Sequence, residues 1–467
     1  MAAIDSSIFS EVTVESFTGN SVDIKLGVVF IDFYEDLYCP AVSAKIGVMA
    51  SGGALRDDQG VASSVYESLK IRGGEPVRIY IEPNSSSNLP LDYLNNPMFV
   101  RGVSALIREE NKEFFILNLV SKEGYEDQQT ILGKRYKKDA RIDAHVRRII
   151  KESFSDPGKV VVDNTINKLG FCGNNKHPFE LITKLASKAV PQIGGSSKTG
   201  NSATAGFFFY QTTEGFQFRS IDALIKGEVV ASYFKSEVNE NPISFQPKGD
   251  FQSLDQKILS FNILRNNDLL TALNNGTYST VRRFFDPVTQ KVNSKVNSVF
   301  SGNDYIRSVK NLGEFIEPAQ VALQNFGQSF TQRPSKVITD TYDVGTLDKE
   351  VNTDLNSDIG QYLSQRKMRY NTIMTQQIKI MVPLNTNLNA GKIIEINVPK
   401  ITTGQTNDYD QGQVSGLYMI KELNHHYDTD GSFTSMKIIR DTYGTKGIGG
   451  DSIGAKSFTS SILRGIL

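Results

Sequence analysis

Two distant stretches of the chain share one alternating pattern of apolar and polar residues. In AGKIIEINVP, residues 390–399, Ile394, Ile396 and Val398 fall on one side of a period of two, with Glu395 and Asn397 on the other, as a half-buried strand requires. In GEPVRIYIEP, residues 74–83, Val77, Ile79 and Ile81 stand three, five and seven residues after Gly74, the offsets at which Ile394, Ile396 and Val398 follow Gly391. Both stretches end at a proline, Pro83 or Pro399, which cannot donate to a ladder and closes the strand. Each is then followed by a polar break and a hairpin pattern. The second hairpin, GLYMIKELNHHYDTDGSFTSMKIIRDTY, alternates Leu417, Met419 and the stem of Lys421, turns at Thr429-Asp430-Gly431-Ser432 and returns from Phe433 to Ile439. Upstream the match is looser: Asp36-Leu37, Ala41 and Gly47, in a strand-turn-strand setting, are set against Asp268-Leu269, Ala272 and Gly276. These patterns predict an internal duplication of one small β domain, against the alternative that two unrelated meanders share common spacings.

Between the two copies the period changes. Ile142, Val146, Ile149 or Ile150, and Phe154 recur every three or four residues and predict an amphipathic helix. Its other face is basic, with Arg141, Arg147, Arg148 and Lys151, but Asp139 and Asp143 interrupt the run and no aromatic is interleaved along it, so a solvated or protein-docking face fits better than a nucleic-acid surface. A second helix is predicted from Pro178, with Phe179, Ile182, Leu185 and Val190 on its apolar face. The loop GGSSKTGNSATAG that follows lacks the order of a phosphate-binding loop and leads into a strand. AGFFFYQTTEGFQFRSIDALI reads as an aromatic hairpin turning at Glu214-Gly215, with Phe207, Phe209, Phe216 and Phe218 as core. Strands resume after a polar break at 239–250 and run to about Lys291; residues 292–360 are poor in strand signals and read as an insertion. QYLSQRKMRYNTIMTQQ, from Gln361, reads as helical, with Tyr362, Met368 or Tyr370, and Ile373 on one side. The Gly/Ser-rich residues 444–467 read as a flexible arm that orders on a partner.

At 467 residues the chain needs several cores, and 39% apolar residues suffice to build them. Lys+Arg and Asp+Glu balance at 51 each, so no global field recruits nucleic acid or anionic lipid. The first residues lack a basic start and a long apolar run, which argues against a secretory signal, and no apolar stretch reaches the roughly 20 residues of a membrane-spanning helix. Cys39 and Cys172, far apart in unlike contexts, read as free thiols. Of the four histidines, His145, His177, His425 and His426, the last two are adjacent in a strand and point to opposite faces, which prevents a simple chelate. Asp428-Thr429-Asp430-Gly431 begins like a calcium loop but lacks the closing acid. No nucleophile elbow or recognisable catalytic cysteine is present, so no catalytic, cofactor-binding or metal residues are assigned, and the chain reads as a non-enzyme without a cofactor.

Three landmarks in order carry a resemblance: NKHPFELITKLASKAV, then ATAGFFFYQTTEGFQFRSIDAL, then the closing SGLYMIKELNHHYDTDGSFTSMKIIRDTYG. Together with the duplication they resemble the central baseplate hub proteins of T-even-type contractile-tailed bacteriophages, over almost the whole chain except the C-terminal arm. The resemblance implies a mainly β fold with α+β parts. Two similar tube-type, barrel-like β domains would occupy residues 1–137 and, discontinuously, 251–291 with 361–443. A middle α+β domain at 138–250, an insertion at 292–360 and the arm at 444–467 complete this expectation. It further implies a structural homotrimer, a symmetry adaptor between a threefold spike and a sixfold tail tube, located in the virion baseplate and assembled in the host cytoplasm. Implied partners are a separate spike protein, since the chain leaves no room for a fused one, tube or tube-initiator proteins above, and surrounding baseplate proteins, with no membrane and no sequence-specific nucleic acid. A hub of a contractile secretion or tailocin-like particle is the alternative, and a tail-associated cell-wall hydrolase a further one.

Overall fold

The computed structural model describes residues 6–16, 19, 21–51, 55–56, 62–83, 88–192, 204–235, 254–266, 268–287, 289–298, 311–313, 335–341, 359–398 and 414–442. Most of the predicted insertion, the breaks at 239–250 and 400–413, Pro399 and the C-terminal arm lie outside them. The fold is mainly β. Alternation in the first part yields six long strands: β1 (Ser7–Glu15), β2 (Val28–Asp36), β3 (Ser43–Ser51), β4 (Pro76–Pro83), β5 (Met98–Glu109) and β6 (Lys112–Val120). The period-two expectation holds: Val77, Ile79 and Ile81 are all fully buried, in a core with Val12, Ile31, Phe33, Ile46, Phe115 and Leu117.

The middle part packs two helices on a sheet. Helix α1 (Ile142–Ser153) buries Ile142, Val146, Ile149 and Ile150, and α2 (Pro178–Ala186) starts at its proline and buries Phe179, Ile182 and Leu185. Val190 is buried as expected, but beyond the end of that helix. The aromatic hairpin is β7 (Phe207–Thr212) with β8 (Gly215–Ser220); Phe209 lies opposite Phe218, and Phe207 stacks on Phe218 at 4.8 Å between ring centroids. Three of the arginines on or beside α1 are engaged within the chain: Arg147 donates to the Val162 carbonyl at 2.6 Å, Arg148 pairs with Glu152 at 2.9 Å and Arg141, just before the helix, with Asp143 at 3.2 Å.

After this come β9 (Val229–Phe234), β10 (Ser260–Asn266), α3 (Leu269–Asn275), β11 (Ser279–Asp286), β12 (Lys291–Ser298), β13 (Lys336–Thr341), α4 (Ile359–Thr372), β14 (Gln376–Pro383), β15 (Ile393–Asn397), β16 (Gly416–Asp428) and β17 (Phe433–Arg440). Strands β11, β12 and β13 form a sheet of their own, so the stretch before Lys291 pairs with strands from the predicted insertion rather than with the large sheet. Conversely β9, from the stretch read as the middle domain, pairs with β15 in the large sheet.

The large sheet holds two sets of six strands in one spatial order. In the first set the order is β2-β3-β6-β5-β4-β1; in the second it is β10-β14-β17-β16-β15-β9, so both read 2-3-6-5-4-1 by position along the chain. One direction differs: β1 runs antiparallel to β4, whereas β9 runs parallel to β15. Neither set closes into a barrel by strand pairing, although Ile24 N donates to Val12 O at 2.8 Å and Ile258 N to Phe234 O at 2.9 Å, drawing the first strand of each set beside the approach to its second. The sets agree in detail as well. The paired landmark glycines both take a left-handed backbone, Gly74 at φ +92 and Gly391 at φ +86, which favours glycine. Gly74 N donates to Val100 O at 2.7 Å and Gly391 N to Ile420 O at 2.8 Å; in return Val100 N donates to Glu75 O and Ile420 N to Lys392 O, each at 2.9 Å. One residue after Val100 or Ile420 each strand skips a residue in its ladder, Arg101 or Lys421.

Two finer expectations are corrected. Asp268 does not match Asp36 structurally: its carboxylate accepts from Thr271 N at 3.0 Å and caps α3, which ends at Gly276 with φ +73, while Asp36 ends a strand and Gly47 sits inside one. In β16, Leu417 and Met419 do not mark the one buried face. Tyr418 and Ile420 fill the core of the second set, while Leu417 and Met419 pack with Phe208, Tyr210 and Ile221 because the middle part covers the sheet's other face.

Phe216 is fully buried, packed against Phe154 at 5.5 Å and Phe209 at 5.7 Å. Phe216→Ala is therefore expected to destabilise the middle part by about 3–5 kcal/mol. Urea unfolding followed by tyrosine fluorescence should show its transition at lower denaturant; an unchanged midpoint would contradict this packing.

Candidate functional site: the joint between the two six-stranded sets

One long strand connects the two sets. The 13 residues of β16 pair first with β15, at Gly416–Met419, and then, past the skipped Lys421, with β2, where Glu422 lies opposite Asp36 and Asp428 opposite Phe30. A bulge sharpens local twist, which lets one edge of the strand pass from β15 to β2 while the other keeps its ladder with β17. Tyr427 consequently belongs to the core of the first set although it comes from the second.

Side chains along this ladder alternate between a sealed and an open face. On the sealed face His425 is 3% exposed, its Nδ1 2.9 Å from Thr434 Oγ1, and burial drives its basicity down to a pKa of about 4. On the open face His426 Nδ1 sits 2.8 Å from Asp32 Oδ1, Asn424 Nδ2 donates to the same oxygen at 3.2 Å, and the Tyr34 hydroxyl donates to Oδ2 at 3.2 Å. Burial alone would raise the Asp32 pKa; these hydrogen bonds outweigh it and hold the carboxyl below its ordinary value.

Glu35 ties the joint to the middle part. Its carboxylate, fully enclosed, accepts from Thr213 N at 2.7 Å, Ala390 N at 2.8 Å and Asn389 Nδ2 at 3.2 Å. Burial dominates these bonds and pushes its pKa up to about 7. Nearby, Arg369 of α4 is fully buried between two carboxylates, 3.3 Å from Asp222 and 3.2 Å from Asp441, and donates to Asn311 Oδ1 at 3.3 Å. Arg440 donates to the Ser415 carbonyl at 2.9 Å and lies 4.3 Å over the Tyr418 ring. Burial of such charges is tolerated only when each is paired, and removing one partner strands the other.

An open groove over the joint is lined by Tyr34, Asp36, Cys39, Lys45, Glu422 and Lys437, with Glu422 held by Lys437 at 2.5 Å and by Lys421. Burial raises the Cys39 thiol pKa, which works against a reactive thiolate. Among the described residues no group of three or more His, Cys, Asp or Glu is arranged to hold a metal ion. The Asp428 carboxylate accepts from Asp430 N at 3.1 Å, an ordinary use of aspartate in a tight turn. Sequence reasoning assigned no role to Glu35, Asp222, Arg369 or Asp441. Only Glu35 carried a signal, since it continues the apolar face of Ile31 and Phe33 at period two.

No protein-family model matches the chain, and no curated protein matches its sequence. Among solved structures it is similar to the 43 kDa tail protein of prophage MuSo2 from Shewanella oneidensis, with 10% identity, a TM-score of 0.49, and 92% of this chain and 98% of that one covered. The tail protein from Neisseria meningitidis MC58 gives 10% identity and a TM-score of 0.46 over 93% of this chain and 97% of that one. A type VI secretion component of E. coli, described as structurally similar to T4 bacteriophage tail proteins, gives 8% identity and 0.39 over 90% of this chain and 76% of that one. These neighbours are tail and secretion-system proteins, and likeness at this level carries no functional argument for the present chain.

Glu35 supplies a pH test. A carboxyl raised from 4.5 to about 7 contributes stability that is fully present below pH 4.5 and lost as pH rises through 7. Glu35→Gln removes that dependence, so between pH 5 and pH 8 its stability relative to wild type should shift in its favour by on the order of 2–3 kcal/mol. Thermal unfolding at the two pH values checks this; a difference that stays constant would contradict the raised pKa.

Proposed function

We propose that the chain is the structural hub of a contractile phage tail baseplate, a homotrimeric symmetry adaptor between a threefold spike and a sixfold tube. The observation that carries the reading is the repeated 2-3-6-5-4-1 strand order, two copies per chain joined by one ladder. Three such chains put six similar strand sets around one axis, so a sixfold tube meets six sets while a threefold spike meets three chains. Residues 1–137 and, from the stretches 251–291 and 361–443, β10 with β14 to β17 supply the two tube-type domains, with β9 added to the second and β11 set apart in its own sheet. The middle part at 138–250 braces the joint, and the segment at 292–360 lies outside the ring. Partners are then a separate spike protein, tube or tube-initiator proteins and surrounding baseplate proteins. The particle is assembled in the host cytoplasm and works in the virion. A contractile secretion or tailocin-like particle would use the same geometry. An enzymatic role as a cell-wall hydrolase finds no support in the joint, whose described carboxylates are engaged in packing and turns rather than poised across an open cleft.

Sedimentation and particle imaging of the purified chain should give three-chain rings with six inner lobes and no turnover of cell-wall substrate. A stable dimer or tetramer, or cell-wall cleavage abolished by one carboxylate substitution, would overturn the reading.

A further inference from the structure

The strand that joins the sets is used once within the chain, and the repeat leaves its counterpart open. Within the chain the second strand of the first set, β2, pairs with the fifth strand of the second, β16. The reciprocal pair would be the second strand of the second set, β10, with the fifth strand of the first, β5. These two strands do not meet: among the described strands β10 stands at the end of the large sheet with β14 as its one ladder partner, and β5 beyond Val100 pairs with β6 alone.

Burial shows what is missing. Where the ladder exists, Ile31 and Phe33 on β2 are fully buried, with Leu423 at 2% and Tyr427 at 1% exposure on β16. On the open counterparts Ile263 and Leu264 of β10 are 43% and 46% exposed, and Leu106 and Ile107 of β5 are 44% and 53% exposed. Exposed apolar edges of this kind are templates for pairing with another chain.

The repeat also fixes the register. Phe33 pairs with Ala44, and Ile263 with Ile378; Ala44 and Ile378 in turn face Leu119 and Ile438, which face Val100 and Ile420. Ile263 therefore stands where Phe33 does, and Ala105, five residues past Val100, stands where His425 does, five past Ile420; both open edges are irregular beyond this point, since β5 skips again between Ser104 and Ile107 and β10 between Ile263 and Arg265, so that Ser104 matches Asn424 and Arg265 matches Tyr34. His425 lies opposite Phe33.

We propose that Ser104–Ile107 on β5 of one copy pairs antiparallel with Asn262–Arg265 on β10 of the next, with Ser104 opposite Arg265, Ala105 opposite Ile263 and Ile107 opposite Asn262, repeating between chains the ladder that β16 and β2 make within one. The inference rests on the proposed hub and names the contact that closes it. Each copy offers one β5 edge and one β10 edge, so the contact is head-to-tail, and in the proposed trimer three such contacts close the ring.

Two substitutions at half-exposed positions test it without touching a core: Leu106→Asp on one edge and Ile263→Asp on the other. Each should lower self-association by more than ~100-fold, because a carboxylate would be buried at the contact, while the thermal unfolding of the chain stays unchanged. Mixed together, the two variants keep one intact β5 edge and one intact β10 edge between them and should form heterodimers that cannot close. In wild-type background, the pair Ala105→Cys and Ile263→Cys should give a covalent closed oligomer on oxidation, with neither single cysteine doing so. If both aspartate variants assemble as wild type does, or their mixture stays monomeric, the edge contact is wrong although the hub reading survives. A wild-type chain that is monomeric at all concentrations would remove both.

Discussion

A strand that leaves one side of its backbone unpaired presents a row of N–H and C=O groups that water satisfies only in part and that another strand satisfies fully. The joint between β16 and β2 answers this need inside the chain. Through it the edge of the first six-stranded set becomes an interior position, Tyr427 enters the first core, and Asp32, Asn424 and His426 form a hydrogen-bonded row along its open face. The middle part then braces the same joint through Glu35, so three stretches far apart in sequence, around residues 35, 213 and 390, converge on one carboxylate.

The charges buried around the joint serve geometry more readily than stability. Well-packed apolar residues often match or exceed a buried ion pair, whereas a pair with fixed partners tolerates few alternative arrangements. Arg369 between Asp222 and Asp441 links α4, the end of the middle part and the residue after β17, and fixes how these lie against the second set. In a proposed ring whose lobes must match a tube, the angle between the sets matters more than the last few kcal/mol of stability. Specificity of this kind is the physical sense of burying an arginine where leucine would pack.

Much of this was legible in the sequence, for reasons of period. Val77, Ile79 and Ile81 and their counterparts Ile394 and Ile396 alternate cleanly, and the fourth strand of each set is preceded by a glycine whose left-handed backbone only the structure explains. The aromatic hairpin and both middle helices follow from local patterns. Strand order did not follow, because which strand pairs with which is decided by contacts hundreds of residues apart, as between β2 and β16. Helix α3 was missed for a different reason: Asp268 and Gly276 are a cap and a stop with LLTALNN between them, local signals hidden by forcing the segment to match a strand in the other copy. Glu35 was within reach as a charge on an apolar face. Arg369 was not, since α4 is weakly amphipathic and its partners Asp222 and Asp441 come from elsewhere in the chain.

In the proposed ring one ladder is made twice, once inside the chain and once between chains. Amide hydrogen exchange of the dilute, dissociated chain and of the concentrated assembly measures this directly. Amides at 30–36 and 422–428 should be protected in both states, while those at 104–107 and 262–265 should exchange fast when dissociated and become comparably protected on assembly. Unchanged exchange at 104–107 and 262–265 in an assembled particle would contradict the account.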